Sequence, residues 1–140
     1  MTPSALPRPL TALVADSNPY AARVARDVLV RSGYARIVEA RDGAEALGAL
    51  VDGRPDLLVV DWQLPVISAR EVVEAARDTA RSHCPTMPVV VTMPEPTAGA
   101  VSAATALGVD AILARPFAPR DLRLRLERIA SAAGAALPKG

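Results

Sequence analysis

The residues of this 140-residue chain best suited to chemistry are two aspartates, each closing a short apolar run: Leu10-Thr11-Ala12-Leu13-Val14-Ala15 before Asp16, and Leu57-Leu58-Val59-Val60 before Asp61. Runs this short are strands rather than helices, and four branched residues together mark a strand buried on both faces. The C-terminal tip of such a strand lines the crevice where open parallel α/β sheets gather ligands. Pro65 stops pairing just beyond Asp61, since it has no N–H to give. The turn after Asp16, Ser17-Asn18-Pro19, contains no glycine, so it is not built to wrap a pyrophosphate. It offers carboxylate and hydroxyl oxygens instead, which suit a hard cation such as magnesium.

Two acids act together only if the remaining elements bring them to one place. Asn18 as N-cap and Pro19 in the first turn open a helix with Val24, Val28 and Leu29, and Ala21 and Ala25 between them, up to Gly33. Arg36–Glu39 reads as a strand. Asp42-Gly43-Ala44-Glu45 has capping-box spacing and starts a helix with Ala46, Leu47 and Leu50, closed by Gly53. Ser68-Ala69-Arg70-Glu71 repeats the signal ahead of Val72, Val73, Ala76 and Ala80. Val89–Thr92 is a fourth strand cut off by Pro94 and Pro96. Thr97 caps a helix through Val101, Ala104 and Leu107 to Gly108, Asp110–Ala114 is a fifth strand, and Pro119 starts a last helix with Leu122, Leu126 and Ile129 on one face. Strictly alternating strands and helices predict an α/β, doubly wound, five-stranded parallel sheet. In the flavodoxin-like order 2-1-3-4-5, strands one and three are neighbours, and Asp16 and Asp61 meet at the switch point.

Composition narrows the partners. A net charge of +1 gives no general attraction to nucleic acid or an acidic membrane, and no apolar run approaches the ~20 residues of a membrane span. A Pro-rich start without an apolar core is unlike a signal peptide, so a cytoplasmic protein is expected. His83 and Cys84 are the sole residues of their kinds, too few for a zinc-type cluster. Fifteen of the sixteen basic residues are arginine. Length sets one domain over residues 10–133, with tails at 1–9 and 134–140.

With both acids placed, the chain resembles the receiver domain of bacterial response regulators. The resemblance is carried by Leu13-Val14-Ala15-Asp16 before Asn18-Pro19, by Glu39–Leu47, by Pro55–Pro65 and by Arg115-Pro116-Phe117. It implies that Asp61 accepts a phosphoryl group from a histidine kinase or a phosphotransfer protein. It implies a magnesium ion held by Asp16, Asp61 and the backbone carbonyl of Gln63, with Ser17 where the family has a second acid, so weak binding is expected. Arg115 stands for the family's lysine and would pair with the phosphate. Chemistry of this kind brings two anions together and needs fixed cations or donors to offset their charge.

The switch positions depart further. The family's spacing from Arg115 places the switch hydroxyl at Met93, while the nearest hydroxyl, Thr92, is one residue earlier and on a strand would face the opposite way, so either the loop before Thr97 is one residue longer and Thr92 serves, or no hydroxyl does. Ile112 stands at the aromatic position. The expectation is a stand-alone receiver-like module that docks on a downstream protein, or on a second copy through its last strand and flanking helices, with weak or absent phospho-switching. The alternatives are a conventional receiver phosphorylated on Asp61 with magnesium, and a sensor of a small ligand or anion. No enzymatic role is expected beyond self-phosphorylation and dephosphorylation at Asp61.

Overall fold

The computed structural model describes residues 8–132. The expected tails at 1–9 and 134–140 lie outside the described residues except for Arg8 and Pro9, and Arg8 pairs with Asp56. In chain order the elements are β1 (Thr11–Ala15), α1 (Pro19–Arg31), β2 (Arg36–Ala40), α2 (Gly43–Gly53), β3 (Leu57–Asp61), α3 (Ala69–Arg77), β4 (Val89–Met93), α4 (Ala98–Ala106), β5 (Ala111–Ala114) and α5 (Pro119–Ala132). All strand pairs are parallel and the order is β2-β1-β3-β4-β5, as expected. No helix among the described residues is long and apolar enough to cross a membrane.

Local chemistry fixes where the helices start. Asn18 Oδ1 accepts from the Tyr20 and Ala21 amides, Asp42 Oδ1 from Glu45, Ser68 Oγ from Glu71 and Thr97 Oγ1 from Ala100, each satisfying an orphan donor of a first turn. Glu45 completes its box by accepting from the Arg41 amide. Helix ends depart from expectation. Gly53 is the last helical residue of α2, and the left-handed position falls on Arg54 (φ 45°). Helix α3 stops at Arg77, so Ala80 lies beyond it and is exposed. On α1 the buried stripe runs through Ala22, Ala25, Val28 and Leu29, with Ala21 and Val24 only half-buried.

The sheet divides two cores by residue parity. Leu13, Ala15, Leu58, Val60, Val89, Val91 and Met93 pack with α2, α3 and Ala104 of α4. Ala12, Val14, Leu57, Val59, Val90 and Leu113 pack with α1 and with Leu122 and Leu126 of α5. Both faces of β3 and β4 are therefore covered, which is why those strands read as unbroken apolar runs.

Candidate functional site

At the C-terminal edge, the register pairs Ala15 with Val60 and Asp61 with Thr92, bringing Asp16, Asp61 and Thr92 to one level. Parity continues across that edge: Asp16, Asp61 and Thr92 follow the series facing α1 and α5, and Arg115 follows Leu113. The side chains meet there. Arg115 grips Asp16 with both ends of its fork, Nη1 to Oδ2 at 2.7 Å and Nη2 to Oδ1 at 3.3 Å. Its Nη1 also donates to Thr92 Oγ1 at 2.9 Å and lies 3.9 Å from Asp61 Oδ2. Both acids and Thr92 are buried, and the Arg115 side chain is 14 % exposed.

Backbone donors finish the pocket. Asp16 Oδ1 accepts from the Asn18 amide at 2.9 Å, and Asp61 Oδ1 accepts from the Gln63 amide at 3.0 Å. Burial pushes the Asp61 carboxyl above its ordinary range, and the neighbouring Asp16 charge adds to the rise, against the opposing pull of the Gln63 N–H and Arg115. Trp62, next to Asp61, is half-buried against the opposite core. Ser17 is exposed.

Thr92 Oγ1 lies on the acid face, and Met93 is buried on the other face, where Ile112 also packs. What sequence reasoning missed is the Arg115–Asp16 fork. Arg115 was expected on a phosphate, and the signal available for the alternative was the replacement of a point charge by a planar guanidinium that matches a carboxylate. Two further features were silent in the sequence. Gly43 donates to the Pro65 carbonyl at 2.9 Å, and a Cβ there would lie 1.9 Å from the Ile67 carbonyl oxygen. Val66, in the same loop after Asp61, is held at φ 75° while 77 % exposed.

A parallel sheet in this order, with two acids, a hydroxyl and a cation gathered at the β1/β3 switch point, is the arrangement of a receiver-type signalling domain. The response regulator receiver domain family matches residues 12–127, and the chain belongs to that family. It is 30% identical over 118 residues to the chemotaxis protein CheY homolog of Campylobacter jejuni, covering 84% of this chain and 89% of that one. Against CheY1 of Helicobacter pylori the identity is 30% over 117 residues, with coverage of 82% and 92%. Among solved structures it superposes on CheY4 of Vibrio cholerae with a TM-score of 0.76 at 26% identity, covering 86% of this chain and 98% of that one. A receiver domain of the Pseudomonas aeruginosa sensor kinase PA1611, with a magnesium ion coordinated in its cleft, shares the fold at a TM-score of 0.73 and 24% identity, covering 86% of this chain and 96% of that one.

Receiver domains are signalling modules of two-component systems that work through kinases, phosphotransfer proteins and downstream targets, and they typically hold magnesium. Asp16 here has both oxygens on Arg115, Ser17 brings no charge, and no cluster of three His, Cys, Asp or Glu side chains suited to a metal occurs among the described residues. A divalent cation could recruit Asp16 here only by breaking its two contacts with Arg115.

Proposed function

We propose that this chain is a stand-alone receiver-like module of a two-component phosphorelay that acts in the cytoplasm by docking on a protein partner, with phosphorylation of Asp61 exerting weak or no control. The observation that carries the reading is the placement of the switch positions. Thr92, the hydroxyl beside Asp61, already accepts from Arg115 and would have to give up that bond to follow a phosphoryl oxygen, while Ile112 on the opposite face supplies no ring to swing behind it. A ligand shifts a conformational equilibrium only through contacts that differ between the states. Docking on a downstream protein, or on a second copy through β5 with α4 and α5, is then set by a surface already formed. Magnesium binding on this reading is weak.

The conventional reading, phosphorylation of Asp61 by a histidine kinase or phosphotransfer protein, is favoured by one observation: Asp61 stands at the β3 tip with a cation within 3.9 Å. Backbone amide spectra recorded with beryllofluoride and magnesium separate the two. Docking without switching predicts changes confined to the neighbourhood of Asp61, or none. Large shifts between Thr97 and Ile129 would establish a working phospho-switch instead.

A further inference from the structure

We propose that the Arg115 guanidinium is the permanent counter-cation of this pocket and takes the place of a divalent metal, so that this receiver holds its acidic pair without magnesium. The inference rests on the receiver reading of the site and deepens it by assigning the cation. Both oxygens of Asp16 are committed to Arg115, at 2.7 and 3.3 Å, and Oδ1 serves the Asn18 amide as well. A metal recruiting Asp16 must therefore break a bidentate, charge-assisted contact. The guanidinium is held from a second side as well: its Nη1 also donates to Thr92 Oγ1 at 2.9 Å and stands 3.9 Å from Asp61 Oδ2. A dication seated between the two acids would lie beside this fixed positive charge, in a pocket where solvent screens little.

Residue type accounts for the difference from a lysine-bearing pocket. An ammonium group is a compact point charge that can satisfy one carboxylate oxygen and leave the other to a metal. A guanidinium matches the carboxylate edge on and occupies both. Ser17 offers no second charge that would tip the balance back toward the metal. An anion approaching Asp61 likewise meets a cation already engaged.

Manganese, a paramagnetic stand-in for magnesium, tests this on the full chain by selective broadening of backbone amides. In the wild-type protein the amides of Asp16–Asn18 and Asp61–Gln63 should broaden no more than those near exposed acids such as Asp52. In Arg115→Lys the same amides should broaden selectively and saturably, with apparent affinity raised tenfold or more. Arg115→Gln, which also abolishes the fork, should open the pocket in the same direction if the lysine variant loses its dispersed spectrum. Saturable broadening of the pocket in wild type at millimolar manganese overturns the proposal, and so does a folded variant as silent as wild type. Adding beryllofluoride and magnesium to the lysine variant keeps the two readings apart. Shifts spreading over Thr97–Ile129 there would refute docking without switching, while metal exclusion by Arg115 would stand.

Discussion

Burial and the neighbouring Asp16 charge hold the Asp61 carboxyl above its ordinary value, whereas Asp16 is satisfied by a forked guanidinium and a backbone amide. The two acids should therefore respond to substitution with opposite signs. A carboxyl whose pKa is raised by folding binds its proton more tightly in the native state. Its contribution to stability is complete below the unfolded value of ~3.9 and is lost as pH rises through the higher native value. Asp61→Asn should thus raise the melting temperature at pH 7, with the gain fading as the pH falls toward ~4. A gain that grows on acidification would contradict the assignment. Asp16→Ala takes the bidentate partner from a largely buried Arg115 and should cost roughly 3 kcal/mol, the lower end for a broken buried pair because Arg115 keeps some solvent contact and Asp61 within 3.9 Å. Denaturant unfolding of both variants at neutral pH checks the pair of signs.

Between residues and the whole sheet, the loop joining β3 to α3 is held by an approach that tolerates no side chain on Gly43. A methyl there would collide with backbone at Ile67, so Gly43→Ala must displace the loop or the start of α2 and should destabilise by roughly 2 kcal/mol, with a change in Trp62 emission as the Asp61 end of the loop moves. Val66→Gly acts in the opposite direction. A branched residue at φ 75° carries strain of about 1–2 kcal/mol, more than the added chain entropy of glycine, so a net gain of up to about 1 kcal/mol is expected in chemical unfolding. Neither feature was legible in the sequence: the Gly43 approach arises where separate elements touch, and a branched residue such as Val66 gives no local signal for a positive φ. The helix starts were legible for the converse reason: Asn18, Asp42, Ser68 and Thr97 bond to amides two or three residues ahead, a purely local act. Strand parity lay between these cases. That Thr92 or Met93 must face the acids followed from spacing, but which one does so depends on the Asp61–Thr92 register, set by a neighbouring strand.

Across the whole molecule, the edge opposite the pocket has its own cationic tie. Arg77, ending α3, donates to the carbonyls of Pro85, Met87 and Gly108 and reaches the Asp110 carboxylate, which in turn accepts from the Val89 amide. Arg77→Ala should lower stability by roughly 2 kcal/mol through these unmade bonds while leaving the manganese response of the pocket unchanged. A change in both would show that the two edges are coupled through the sheet. The parallel sheet was readable from alternation and its order from the glycine-free turn after Asp16, yet neither tie was, since each joins segments far apart in the chain. The contact of Arg115 with Asp16 spans 99 residues, and that distance has a consequence in time. On the ribosome, at ~5–20 residues per second, Arg115 is made several seconds after Asp61. The nascent chain thus presents both acids before their counter-charge exists. Any early pairing of β1 with β3 has to be driven by Leu13, Val14, Val59 and Val60 against the repulsion of their own tips, and the pocket is neutralised only when the segment after β5 has been made.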